Sequence, residues 1–515
     1  MAHGVNIKLG TLSPPSVETV DASTIFCLGT APGADVGVYG DGTNILYNKP
    51  FLLTKRSDAP SDDLGTDGTL PKALDSIYAQ GSATVAMVIV EEASDVAAVL
   101  ADALTVAKFS NANTQSAVTA LSGNDVRWAI ISDSGKKYLA FKNITSADET
   151  KLAAYVVGQQ ISVEPDGGGS VIHTYTLKGT YDTTNDRIEI NSDAAVTGVT
   201  DGTDYDLERI AATAVDGNAQ TRANAIGDAS EQTGIYAALG AKSVVGRQPR
   251  ILCAPGLDTR SRPLNAANGL ATAMVTVAER LKAIAIIDGP NTSHADAVTY
   301  IADFDSTRAV VVDPGVRIAD EAGVVDQAAS GFVAGLFAWN DARNGFWQSP
   351  SNKPLRNVLG TSRAIDYTAG DANSRAQLLN DNNIFTIINE GGGYRFWGNE
   401  TPATTDAHLK FVNVQRTQDV LADSLQRSLL WAVDRGITKN FLSAVTQACN
   451  DFIRGLVALG ALIGGECYPD ADLNTPANIA LGKVFFNIKY TPVYPAQEIT
   501  LKINLTNEYL TSLAA

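Results

Sequence analysis

Four cysteines and four histidines in 515 residues leave little from which to build a metal site or a disulfide framework. Cys27, Cys253, Cys449 and Cys467 lie far apart, with no CxxC and no histidine at ligand spacing, so buried free thiols are expected. His3, His173 and His408 are each isolated in the chain, which argues against a metal. Long apolar runs are missing too. None approaches the roughly 18 residues of a membrane span, and Met1-Ala2-His3-Gly4 lacks the basic stretch of a signal peptide. The expectation is no direct membrane insertion, with synthesis in a cytoplasm and use there or release by lysis. Positive charge is in deficit, 39 Lys and Arg against 56 Asp and Glu, a net of −17. That balance argues against nucleic acid as a partner, because such binding needs clustered cations to displace counterions.

Phosphate-binding motifs are also absent. No Walker-type GKT or GKS occurs. The glycine-rich loop Gly29 to Gly42 follows a strand, but no G-x-G-x-x-G opens a helix there, and Asn44 to Tyr47 continues as extended chain. Gly391 to Gly393 reads as a turn before an aromatic strand. No cofactor is expected.

What is present is enough apolar sequence, 45%, for real cores in two to four domains. Thr24 to Gly29 and Thr84 to Val90 read as buried strands, Pro50 to Thr54 as a short one, and Leu70 to Tyr78 as a helix with Pro71 in its first turn. Between 101 and 225 the chain turns to Asp, Thr, Asn and Gly, with strand-like stretches at 155–163, 171–177 and 187–190. Residues 101–235 carry 10 Lys and Arg against 18 Asp and Glu, a net of −8, as expected of a solvated outer module. Strands at 251–253, 283–287 and 309–312 then alternate with helices around 232–242, 266–280 and 294–302, the succession of a parallel α/β sheet. From 401 to 515 the counts are 9 and 10, a net of −1, which allows close approach to other protein surfaces. Two amphipathic helices are expected there, 417–435 capped by Thr417 and 438–459, with strands at 483–490 and 498–504 after them. Trp397, Trp431, Phe441 and Phe452 are expected in cores rather than in a ligand cage.

One constellation hints at catalysis. Asp288, His294 and Ser330 follow the order of subtilisin-type proteases, and Ala329 to Gly335 faintly resembles their nucleophile helix. The Thr-Ser-x-Ala-x-Pro core of that motif is missing, and His294 reads more simply as a helix first-turn residue, so no catalytic residue is expected. The competing class remains a soluble α/β hydrolase-like enzyme whose terminal strands pair within their own sheet.

Both ends of the chain are written as strands. Val5, Ile7 and Leu9 alternate with Asn6, Lys8 and Gly10, and Ile499, Leu501, Ile503 and Leu505 alternate with Thr500, Lys502, Asn504 and Thr506. Pro14 and Pro15 set off the first, Pro492 and Pro495 the second. Terminal strands need a partner edge, in this chain or in a neighbouring copy.

The run Phe396 to Thr401, then Phe411 to Thr417, the two helices and Gly460 to Cys467 resemble the C-terminal domain of contractile bacteriophage tail sheath proteins. Tyr236 to Leu239, Pro249 to Gly256, Gly29 to Pro32 and Asn48 to Pro50 resemble the sheath core. The resemblance implies a multidomain α/β chain: a subtilisin-like α/β core without protease activity, a β-rich inserted domain, an α+β C-terminal domain and extended terminal strands. The corresponding boundaries are 1–20 (arm), 21–100 and 226–400 (core), 101–225 (insertion), 401–490 (C-terminal domain) and 491–515 (arm). It also implies a helical homo-oligomer of stacked six-fold discs around a tail tube protein, with baseplate and tail terminator proteins as further partners. Such sheaths are virion components assembled in the host cytoplasm. Val5, Ile7, Leu9, Ile499, Leu501, Ile503 and Leu505 are then the strands exchanged between subunits, and Pro14, Pro15, Pro492 and Pro495 the arm hinges.

Overall fold

A computed structural model describes residues 17, 19–93, 103–153, 157, 160–165, 172–191, 197, 199–210, 217–257, 269–320, 323–404, 406 and 408–507. They divide into two compact units, one formed by the chain up to 92 and from 221 onward, the other by 93–220.

The first unit is built on a six-stranded sheet of β1 (Ile25–Thr30), β2 (Pro50–Leu53), β3 (Val85–Val90), β4 (Ile251–Cys253), β5 (Ile284–Asp288) and β6 (Ala309–Val312). Their spatial order is β6-β5-β4-β1-β3-β2, parallel throughout except for the antiparallel edge strand β2. Every residue of β1 and β3 is buried, as expected of parallel strands covered on both faces, and this is why they read as unbroken apolar runs. Side-chain alternation sends Ile25, Cys27, Met87 and Ile286 into one core with the helices α1 (Leu70–Gln80) and α3 (Ser330–Asn344). Phe26, Leu28, Val88 and Ile287 go into the opposite core, under α2 (Gly269–Leu281).

Helices α1 and α3 cross at glycines. A Cβ on Gly335 would lie 2.3 Å from the Ile77 carbonyl oxygen, and one on Gly331 would lie 2.2 Å from Ser76 Oγ. Gly335→Ala should therefore lower stability by about 1–3 kcal/mol through overpacking, outweighing the roughly 1 kcal/mol that alanine gains inside a helix. An unchanged urea midpoint would mean that the helices part without cost.

The second unit holds a seven-stranded sheet. In spatial order its strands are His173–Thr176, Gln160–Pro165, Asp204–Ile210, Ala103–Phe109, Arg127–Asp133, Lys136–Lys142 and Arg187–Ile190. All neighbours are antiparallel except Ala103–Phe109 with Arg127–Asp133. Phe109, Trp128, Leu139, Tyr175 and Leu207 form its core.

After the sheet region of the first unit come α4 (Val412–Ser428), α5 (Lys439–Ala458) and an antiparallel hairpin of β7 (Leu462–Pro469) and β8 (Phe486–Pro492). Helix α4 starts five residues before the expected Thr417 and stops at Ser428, short of Arg435. Thr417 is not a cap: it is buried mid-helix, and its hydroxyl donates to the Asn413 carbonyl at 2.8 Å. The helix starts earlier than its apolar stripe because its first turns bury polar residues, Asn413, Gln415 and Arg416. Helix α5 begins as read, with the Thr438 hydroxyl accepting from Phe441 N–H at 3.1 Å.

Candidate subunit interface

The C-terminal elements gather their own apolar cluster. Leu421 and Leu425 of α4, Val445, Phe452 and Leu456 of α5, and Leu462 of β7 close around it. Phe452 lies inside it, and Trp431 and Phe441 pack on its margin. Trp397 stacks edge-on to Tyr367 at 5.1 Å.

The other face of α4 meets the sheet region through ion pairs. Arg308 grips Asp419 with bonds of 2.6 and 2.8 Å. Asp423 takes the Lys282 ammonium at 2.5 Å and pairs with Arg250. Burial alone would push the Asp423 carboxyl up, but these two cations outweigh it and hold the group below the usual range. Arg416 pairs with Asp341 of α3, and the two side chains are only 5% and 3% exposed. Burial pushes the Asp341 carboxyl above its ordinary value despite Arg416.

Both termini leave from α4. The Val20 N–H donates to Ser424 Oγ at 3.0 Å, and Arg416 donates to the Ala22 carbonyl at 3.0 Å. In the first turn of the helix, the Asn413 amide donates to the Val493 carbonyl at 3.2 Å and Tyr494 packs edge-on to Phe411. Val5, Ile7, Leu9, Pro14 and Pro15 lie outside the described residues. Pro492 is the buried last residue of β8, opposite Leu462, and Pro495 lies in the stretch beyond it, which has no regular secondary structure through 507.

That stretch is the unusual part. The expected strand at 498–504 has no sheet partner among the described residues, and Ile499, Leu501, Ile503 and Leu505 are 76%, 81%, 95% and 93% exposed. An alternating apolar segment stands in solvent.

The hairpin's two edges differ in kind. The Asn450 amide of α5 bonds both the N–H and the carbonyl of Cys467, each at 2.8 Å. Those groups therefore point away from β8, so Cys467 opposite Ile488 is a non-hydrogen-bonded pair. By alternation the same holds for Pro469 opposite Phe486, where proline offers no N–H. The β7 edge is thus closed by an amide and a proline. On β8, Phe486, Ile488 and Tyr490 turn their N–H and carbonyl groups outward, and no strand lies beside them among the described residues. Sequence reasoning missed β7 because Gly464 and Gly465 interrupt its alternation, and it could not assign an edge function to Asn450.

The proposed catalytic order finds a different geometry. The Ser330 hydroxyl donates to Asp288 at 2.5 Å and its N–H to the same carboxylate at 2.7 Å, anchoring the start of α3 to the end of β5. His294 Nδ1 faces Arg363 at 3.1 Å instead of Ser330. Burial raises the Asp288 carboxyl to about 6, against the hydrogen bonds from Ser330, and burial followed by the Arg363 charge lowers the imidazole. The Ser330–Asp288 pair holds the start of the helix, and His294 does not stand between them. In the loop Gly29 to Gly42, the Asp35 carboxylate accepts from Gly37 N–H at 2.7 Å, and Asp41 accepts from Thr43 and Asn44. These carboxylate bonds hold local turns of the chain. Gly391 and Gly392, both at positive φ, form the turn between strands Thr386–Asn389 and Tyr394–Trp397.

Residues 228–401 match the phage tail sheath protein central domain and 404–506 the phage tail sheath C-terminal domain. A prophage protein of Pseudomonas aeruginosa (strain UCBPP-PA14), named a major tail sheath protein, is 44% identical over 287 residues, 55% of this chain and 72% of that protein. The chain belongs to the phage tail sheath family. The tail sheath protein of Burkholderia phage BcepMu is 28% identical over 526 residues, covering 99% of the present sheath chain and 98% of its relative. The helical sheath of the anti-feeding prophage in its contracted state shares the fold, with a TM-score of 0.56 at 14% identity over 98% of this chain and 99% of that one. The sheath chain is thus a mixed α/β, multidomain structural component of a phage tail.

Proposed function

We propose that the chain is a contractile sheath subunit whose copies polymerise as helically stacked six-fold discs around the tail tube. Contraction of that polymer drives the tube through the host envelope, with baseplate and tail terminator proteins at its two ends. The core is of the subtilisin-like kind with no enzymatic role, and the particle is assembled in the host cytoplasm. One observation carries the linkage: among the described residues, an exposed, alternating C-terminal segment and a β8 edge with no strand beside it occur in the same chain. A segment that finds no partner at home and an edge that lacks one are satisfied together by strand addition between copies. Ile499, Leu501, Ile503 and Leu505 of one subunit line the inner face of the added strand, and Val5, Ile7 and Leu9 do the same for the N-terminal arm. The first strand to add presents a fresh edge for the second, so one open edge accommodates both arms. Pro14, Pro15, Pro492 and Pro495 mark the hinges where the arms leave the body. Because such contacts do not close on themselves, they generate an open helix.

Deleting residues 1–12 should leave a soluble, folded monomer that forms no tubes in negative-stain images, whereas the full chain forms tubes or short helical polymers. Normal tubes from the deletion would overturn the exchange, and single particles from the full chain would overturn the polymer itself.

A further inference from the structure

The four cysteines, scattered in sequence, come together in pairs. Cys27 and Cys253 are in register across β1 and β4, but the Cys253 thiol donates to the Phe26 carbonyl at 3.7 Å, and both residues are sealed in the sheet's interior. Cys449 and Cys467 differ. They sit on α5 and β7 within one apolar cluster, both buried, and the neighbouring Asn450 clamps the Cys467 backbone to the helix through its two bonds of 2.8 Å. Helix and strand are held within one side-chain length at this point. The interaction of the two thiols pushes Cys449 up and draws Cys467 down, so Cys467 is the more readily ionised partner.

We propose that Cys449 and Cys467 form a latent intrachain disulfide that closes once the protein leaves a reducing cytoplasm for an oxidising medium. The oxidant is a small disulfide such as oxidised glutathione. The Cys467 thiolate attacks one of its sulfurs, forming a mixed disulfide and releasing one glutathione thiolate. The Cys449 thiol then gives up its proton and attacks the Cys467 sulfur, releasing the second. Two cysteine thiols are oxidised, one glutathione disulfide is reduced to two thiols, and both protons pass to the leaving groups. Both residues are nearly buried, at 1% and 3% exposure, so reaction requires a brief opening of the two-stranded hairpin. The bond ties β7 to α5 and closes a short loop. Its formation is a property of the folded chain alone; its value as a lock on the arm-accepting hairpin rests on the strand-exchange reading.

The full chain, purified in dithiothreitol, would be exchanged into oxidised glutathione under native conditions, digested and mapped by mass spectrometry. The expected result is loss of two titratable thiols per chain, a linked peptide joining Cys449 to Cys467, and a melting midpoint raised by about 2–4 °C over the reduced chain. Cys467→Ser should abolish the linked peptide and the rise in midpoint. Retention of all four thiols by the wild-type chain, or a linked peptide containing Cys27 or Cys253, would overturn the proposal, and neither result depends on whether tubes form.

Discussion

A chain carrying Leu501→Asp and Ile503→Asp should fold with parental stability and form no tubes. Both side chains are more than four-fifths exposed in the isolated chain, so their replacement removes no packing, and the melting curve should move by no more than about 0.5 kcal/mol. In the polymer the same two positions would face a neighbour's hairpin on the side of Ile488, where a carboxylate would have to be buried without a partner. The effect is therefore confined to assembly. Lys502→Asp, one residue away on the opposite face, is the control: it changes charge by two and should leave tubes intact. Negative-stain microscopy with sedimentation separates the outcomes, and ordinary tubes from the double variant would refute strand addition by this segment.

Arg416→Met should cost about 3–5 kcal/mol of folding stability, as expected for removing one member of a buried ion pair. Its guanidinium bonds Asp341, bonds the Ala22 carbonyl and lies over the Phe337 ring, and Asp341 also accepts from Ser23 at 3.0 Å. Without Arg416, Asp341 is a buried carboxylate supported only by that serine. Its folded-state pKa is already raised by burial and would rise further. A group raised in this way favours the folded state when protonated, and that contribution is lost as pH climbs through the folded pKa. The deficit should thus be smaller near pH 5 than near pH 8, as read by urea unfolding of variant and parent at each pH. Equal deficits at both would place the loss in packing instead of charge.

The strands of the central sheet were legible because parallel strands buried on both faces are continuous apolar runs; β1, β3, β4, β5 and β6 fall within a residue or so of where Thr24 to Gly29, Thr84 to Val90 and the three later runs predict them. What stayed hidden is polar or relational. The start of α4 is obscured by buried Asn413, Gln415 and Arg416; the partners of Asn413 and Arg416 are remote in sequence, and that of Gln415 is Asp419 on the same helix. Four strands of the second unit stayed hidden too; in Lys136–Lys142 the apolar run is only Tyr138 to Phe141, set between lysines, too short to stand out from a polar stretch. The C-terminal arm was visible as an alternating pattern, but the asymmetry of the hairpin's edges depends on Asn450 reaching across to Cys467. The cysteine pairing was invisible for the same reason.

Among the described residues, helix α4 is bonded to both end segments of the chain: Val20 at Ser424, Ala22 at Arg416 and Val493 at Asn413, over eleven residues and about 16 Å of its axis. If the arms are the couplings between copies, α4 is the axle between them. A pull arriving on one arm reaches the other along a single rod, and the large α/β body hangs beside that line instead of within it. The body can then swing as the lattice shortens while the chain of couplings keeps its length, and the ion pairs of Asp419 and Asp423 become the bearings on which it turns.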